Sequence, residues 1–127
     1  MIDGDTLRIQ GRIIHLYGIY AFEAEQTCRL EGIKYPCGVM ATAHLVELPL
    51  GLNLVCEGVK KNRLGELSAE CRTDKQSLNS TMVSAGWALA EIKETERYGS
   101  AEKHANSREV GIWRGEFVRP WIGRIKH

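Results

Sequence analysis

The sequence has no apolar run approaching the ~20 residues that a membrane-spanning helix needs. Its longest apolar stretch stops at Glu47 and Pro49, so no membrane insertion is expected. It also lacks an excess of charge of either sign: 17 Lys and Arg against 16 Asp and Glu give a formal net charge of +1. That balance excludes tight polyanion binding through bulk electrostatics. There is no Cys-x-x-Cys pair, which removes zinc ribbons and dithiol redox motifs. His44 and His104 have neither a carboxylate nor a histidine four residues on, so neither starts a helical metal pair and both read as surface histidines. Repeats, low-complexity tracts and long linkers are missing too, so residues 1–127 read as a single domain. The opening Met1-Ile2-Asp3 brings neither a charged leader nor an apolar signal region.

What is present is a chain of 127 residues, 43% hydrophobic and 26% charged. A domain of that length buries roughly two-thirds of its unfolded surface, enough for a core of its own. Residues 1–59 carry four basic and seven acidic groups, whereas 108–127 carry five basic and two acidic. Arg108, Arg114, Arg119, Arg124 and Lys126 make the C-terminal end the basic one and read as a solvated tail. Four cysteines, Cys28, Cys37, Cys56 and Cys71, allow three disulfide connectivities. Local pairing is favoured, because Cys28 and Cys37 bracket a short loop and Cys56 and Cys71 sit in neighbouring strand-like segments. Each bridge stabilises by about 2–4 kcal/mol. Disulfides imply an exported protein, periplasmic or extracellular, whose signal segment has been trimmed. Four reduced, buried cysteines in a cytosolic protein are the alternative.

Periodicity divides the chain into strands, a helix, strands and helices. Thr6–Gln10 alternates, Gly11 turns, and Ile13–Tyr20 is β-branched and aromatic around Gly18, which marks a bend or bulge. Tyr35–Leu48 changes to helical spacing, with Val39, Ala43 and Val46 plus Leu45 on one side, and stops before Pro49. Leu52–Val59 and Glu66–Cys71 form a second hairpin around Lys60-Lys61-Asn62-Arg63-Leu64-Gly65. Leu78–Leu89 is a second helix, with Ser77 or Asn79 as N-cap. Ser100–Val110 is a third, with Gly111 as C-cap. The expected architecture is α+β: a five-stranded Greek-key OB-fold β-barrel with three α-helices packed on it.

Asp3-Gly4-Asp5-Thr6-Leu7-Arg8-Ile9, followed by Leu16-Tyr17-Gly18-Ile19 and Glu23, resembles the staphylococcal nuclease (thermonuclease) family. Further motifs recur in order: Tyr35-Pro36-Cys37-Gly38, Leu78-Asn79, Met82-Val83, Gly86-Trp87-Ala88, Gly111-Ile112-Trp113 and Gly115 with Phe117. The cysteines and Tyr-Pro-Cys-Gly resemble an exported bacterial branch, some of whose members are encoded among exopolysaccharide (succinoglycan) genes. The resemblance implies phosphodiester cleavage with bound Ca²⁺, a hard cation that takes oxygen ligands. It further implies two aspartates and a main-chain carbonyl on the metal, a glutamate that activates water, and two arginines that clamp the phosphate.

Several of those parts are replaced. Asp5 stands at the first metal aspartate, Asp3 is a supporting carboxylate, and Glu23 stands at the glutamate. The second aspartate is Tyr20, a phenol that is neutral at pH 7, so the site loses a ligand and a charge. Ala21 still offers its main-chain carbonyl, although Phe22 replaces the usual Pro. The first clamp arginine is His15, which has no bidentate fork. The second is Glu66, which reverses the charge. Each lost transition-state contact typically costs about 2.7–4 kcal/mol, and the losses are not additive. Rescue by Lys60, Lys61 or Arg63 would need one of them to swing into the site.

Glu91, Ile92 and Glu94 occupy the stretch where family aromatics stack on a base, so a stacking platform is missing. Asn79-Ser80-Thr81 matches a glycosylation acceptor but reads as a helix-start hydrogen-bonding cluster. Trp87 and Trp113 read as core; Trp121 stays open. The expectation is a nuclease-like domain with a degenerate site and weak or absent Ca²⁺ binding. It would serve the bacterial envelope as a monomeric binding module taking an oligonucleotide, oligosaccharide or protein at the barrel cleft. The alternative is a weak Ca²⁺-dependent phosphodiesterase acting on DNA or RNA.

Overall fold

The computed structural model describes residues 3–62 and 64–118. Arg63, Arg119, Trp121, Arg124 and Lys126 lie outside the described residues. Strand β1 (Thr6–Ile9) turns through Gln10 and Gly11, both at positive φ, into β2 (Arg12–Leu16). That is the backbone a two-residue hairpin requires. Gly18 (φ +78°) then bends the chain into β3 (Ile19–Ala21), so the long apolar run expected from 13 to 20 forms two strands around the predicted bend. Strand β6 (Val55–Lys61) and β7 (Leu67–Arg72) form the second hairpin, and β2 pairs parallel to β7. The sheet order is β1-β2-β7-β6. Strand β3 leaves this sheet and pairs with β8 (Ala88–Ala90). Helices α1 (Cys37–Glu47), α2 (Leu78–Ser84) and α3 (Gly99–Arg108) complete an α+β, OB-like fold. None of the helices among the described residues is long and apolar enough to cross a membrane.

Several expected boundaries move. The second helix ends at Ser84 rather than Leu89 because Gly86 has φ +82°, and a Cβ there would lie 2.2 Å from the Val110 carbonyl oxygen. The Ile112 N–H reaches the Gly86 carbonyl at 2.9 Å, so the chain must leave helical geometry and Ala88–Ala90 becomes a strand. The third helix is capped by Glu109 in the left-handed region, not by Gly111. Gly111 serves instead where the backbone presses against Gly86, at the start of a short 3₁₀ turn, Gly111–Arg114. Helix α1 begins at Cys37 rather than Tyr35 because β4 (Cys28–Leu30) and β5 (Ile33–Tyr35) form a hairpin that the sequence did not signal. Ser77 caps α2, its hydroxyl oxygen accepting from the Ser80 N–H.

The orientation of α1 is a larger correction. Its buried residues are Cys37, Gly38, Ala41 and Leu45, while Val39, Ala43 and Val46 face solvent. Small residues decide this: a Cβ on Gly4 would lie 2.9 Å from the Ala41 Cβ, and one on Gly38 would lie 1.9 Å from the Glu23 carbonyl oxygen. The helix packs closely through the face that lacks bulk, and the Cys28–Cys37 disulfide ties that face down. A second disulfide joins Cys56 and Cys71 across directly paired positions of β6 and β7. The pairing is the local one, and two disulfides suit an oxidising compartment.

The core has two parts. Leu7, Leu16, Leu45, Leu78, Met82 and Val83 belong to the larger, while Phe22, Cys37, Leu89 and Ile112 centre the smaller. Trp87 packs against both and Trp113 against the smaller, as the core reading expects. Asn79 is fully buried and joins the layers. Its Oδ1 accepts from the Cys71 N–H at 3.0 Å, and its Nδ2 donates to the carbonyls of Tyr17 (2.9 Å) and Ala69 (3.1 Å). Its role is structural, as the sequence indicated. His44 departs from expectation: it is half-buried, 6.5 Å from Trp87 between ring centroids, and burial lowers its pKa. His104 is exposed, as expected.

Candidate functional site

Asp3, Asp5, His15, Tyr20 and Glu23, separated along the chain, converge on one cleft of about 340 Å³. Asp5 sits just before β1 and is buried (7% exposed). Its Oδ1 accepts from the Thr6 hydroxyl at 2.9 Å and its Oδ2 from the Ala21 N–H at 2.9 Å, so it fastens β1 to β3. Asp3 Oδ1 accepts from the Ala24 N–H at 3.2 Å, which anchors the loop carrying Glu23. That loop is closed by Gln26: its side chain accepts from the Glu23 N–H at 2.7 Å, and its own N–H donates to the Glu23 carbonyl at 2.9 Å. Gly38 supplies the room beneath it. Ala21 is fully buried in the β3–β8 ladder opposite Ala88.

Glu66 does not line this cleft, yet it is bonded to a residue that does. His15 Nε2 lies 3.1 Å from Glu66 Oε1, and His15 Nδ1 lies 3.3 Å from Thr6 Oγ. The carboxylate of Glu66 is acceptor-only and takes Nε2–H. Asn62 Nδ2 adds a second donor to Glu66 Oε1 at 3.0 Å. Hydrogen bonds from His15 and Asn62 hold the Glu66 carboxyl below its usual range. His15 and Glu66, at the positions the resemblance assigns to the phosphate clamp, are bonded to each other.

Three polar lining residues were not singled out as site residues: Thr6, Ser68 and Glu94. Thr6 stands inside the Asp-Gly-Asp-Thr motif and Glu94 in the stretch that lacks stacking aromatics; Ser68 carries no local signal. Glu94 Oε1 accepts from the Gly18 N–H at 2.8 Å, and its Oε2 pairs with Lys60 Nζ at 2.7 Å. This pairing raises the Lys60 pKa. Lys60 also lies over the Tyr17 ring, 5.8 Å from its centroid. A bulge between Gly58 and Lys60 sets Lys60 opposite Ser68, so Lys60 reaches the rim but is held there by Glu94. No arginine or lysine is among the described lining residues.

The donor set can be tested against the cation that the resemblance implies. Ca²⁺ takes six to eight oxygen ligands. Each oxygen of Asp5 accepts a hydrogen bond from the protein, and Tyr20 offers a phenol where the resemblance implies a carboxylate. Among the described residues no group of three or more His, Cys, Asp or Glu side chains is placed to hold a metal ion. With Tyr20 at one of its positions, this donor set has one carboxylate fewer than the set the resemblance implies.

The comparisons with known proteins agree with the fold. The chain is 32% identical over 129 residues to the succinoglycan biosynthesis protein ExoI of Rhizobium meliloti (strain 1021), an alignment covering 98% of this chain and 68% of that relative. Residues 13–115 match the profile described as Staphylococcal nuclease homologue. That span holds β2 from Ile13 on, the β6–β7 hairpin, all three helices and the residues His15, Tyr20, Glu23 and Glu66, and on it the chain belongs to the staphylococcal nuclease homologue family.

Proposed function

We propose that this domain is a non-catalytic binding module of the bacterial envelope, built on a nuclease fold whose phosphodiester-cleaving apparatus has decayed. The observation that carries the reading is the His15–Glu66 bond at 3.1 Å. An arginine pair stabilises the charge that develops on a transferring phosphoryl group, and losing one such contact typically costs 10²- to 10³-fold in rate. Here one position carries a negative charge and the other is bonded to it. Nothing in the pair is aimed at an anion. With Tyr20 in place of a carboxylate, Ca²⁺ binding is weak or absent in this reading. The two disulfides support export to the periplasm or beyond. The name of the relative ExoI supports a place beside exopolysaccharide synthesis.

A weak Ca²⁺-dependent phosphodiesterase is the second reading, favoured by the convergence of Asp3, Asp5 and Glu23 on one cleft. The two separate in one assay: hydrolysis of single-stranded DNA with Ca²⁺, with chelator, and with Glu23→Ala purified in parallel. The binding-module reading expects equal, background-level cleavage in all three. Cleavage that chelator stops and Glu23→Ala abolishes refutes it.

A further inference from the structure

Helix α1 contains no lysine or arginine, and Glu47 is its one carboxylate. The solvent side of a helix packed on a domain is ordinarily charged or polar; here it is apolar. Val39 is 52% exposed, Val46 39% and Leu50, in the turn that follows, 67%, with Ala43 exposed between them. Leu48 stays in right-handed helical geometry and the Leu50 N–H reaches the Glu47 carbonyl at 3.2 Å, so the turn continues the helical path. At 3.6 residues per turn the four side chains fall in a sector of about 60°. Cys37, Ala41 and Leu45, on the opposite side, are buried. The steps of four, three and four residues from Val39 to Leu50 are the rhythm of a helix–helix seam.

We propose that this seam is a self-association surface whose occupant is α1 of a second copy of this chain, running antiparallel across a two-fold axis, in place of the monomer expected from the sequence. In a two-fold interface each residue i that meets j is matched by j meeting i. With the axis between His44 and Leu45, Val39 faces Leu50 of the second copy at both ends of the seam, and Ala43 faces Val46 of the second copy in between, small against larger. A parallel pair would set Ala43 against Ala43 and leave a gap. The antiparallel setting also brings the positive N-terminal end of each helix beside the negative C-terminal end of the other. Glu47 lies at the edge of the seam, so no charge is enclosed. The apolar surface is on the order of 300–600 Å², the size of the largest patch on a typical monomer, against about 800 Å² per partner in a standard stable complex. The pairing is therefore weak and concentration-dependent, not obligate. An anionic membrane is disfavoured as the occupant, because the helix has no basic residue to attract it. No α1 residue is among those lining the cleft, so the pairing does not depend on what the cleft binds.

Sedimentation equilibrium of the full chain, disulfides intact, tests this with Val39→Glu, Leu50→Lys and an equimolar mixture of the two variants alongside wild type. Both positions are largely exposed, so each variant is expected to keep the wild-type unfolding midpoint, which is checked by tryptophan fluorescence. The wild type is expected to pass from monomer to dimer as concentration rises to about 1 mM, with concentration-dependent methyl shifts at Val39, Val46 and Leu50. Each variant alone weakens the dimer by at least about tenfold, one decade in Kd. The mixture restores association, because an antiparallel pair sets the new carboxylate against the new ammonium. A wild type that stays monomeric to about 1 mM overturns the proposal. Dimerisation unchanged in both folded variants overturns it too, since the contact then lies elsewhere, and a mixture that stays monomeric overturns the antiparallel register. Vesicles of neutral phosphatidylcholine form a further arm: a monomer that partitions onto them through Val39 and Leu50 overturns the second copy in favour of a lipid surface.

Discussion

Replacing Asn79 with alanine removes three hydrogen bonds from the place where β7, the Tyr17 bend and α2 meet. The Ala69 carbonyl keeps a bond from the Tyr17 N–H at 2.8 Å, so its loss is minor. The Cys71 N–H and the Tyr17 carbonyl lose the partner that Asn79 gives them. An unsatisfied buried group costs about 1–3 kcal/mol, and partial relaxation brings the two together to roughly 3 kcal/mol. That is about a hundredfold in the folding equilibrium. For a domain of this length it lowers Tm by roughly 12 °C, at about 4 °C per kcal/mol. Urea unfolding followed by tryptophan fluorescence measures it, with an unchanged m-value as the two-state control. Asn79→Asp sharpens the test. It keeps an acceptor for the Cys71 N–H but turns a carboxylate oxygen toward the two carbonyls. It is therefore at least as unstable as alanine at pH 7, and it recovers partly at pH 4, where a protonated acid donates. Stability of Asn79→Ala within about 1 kcal/mol of wild type refutes the reasoning.

Gly38→Ala forces a methyl against the Glu23 carbonyl; an expected loss of about 1–3 kcal/mol in urea unfolding, with shifted amide signals from 23 to 26, checks it. The lowered pKa of His44 makes its neutral form the stable one, so its contribution is complete above pH 6.5 and is lost as pH falls through the folded value. His44→Leu flattens that limb of a stability–pH curve. The lowered Glu66 pKa acts in the same direction at lower pH: its contribution is present above 4.5, the ordinary value, and lost as the carboxyl protonates. Glu66→Gln removes it, read as a weaker fall in Tm below pH 4.5. Restoring Tyr20→Asp, His15→Arg and Glu66→Arg together is expected to create Ca²⁺-dependent DNA hydrolysis absent from the parent. A folded triple variant with no activity refutes the assignment of the decay to these three positions.

Much of the fold was legible because its signals are local. The Gln10-Gly11 turn, the bend at Gly18, the Ser77 cap and the disulfide pairs each depend on a few residues of sequence. The errors arose where a distant contact outvoted a local pattern. Leu78–Leu89 has helical spacing throughout, but Gly86 is held against Val110 and the helix stops. Val39, Ala43 and Val46 form an apolar side, yet close packing through Gly38 and Ala41 turns that side outward. His44 was read from its lack of a metal partner, a pattern that says nothing of burial.

The sequence by itself supplied the identities of Asp5, Glu23, His15, Tyr20 and Glu66, and the resemblance supplied the roles expected of their positions. Only the tertiary structure decided what those groups do to one another. His15 and Glu66 are 51 residues apart, and only the parallel pairing of β2 with β7 brings the imidazole onto the carboxylate. Spacing along the chain specifies side chains and turns because those are set by neighbouring atoms. Distance between strands, and therefore pairing of charge, is set by packing of the whole core.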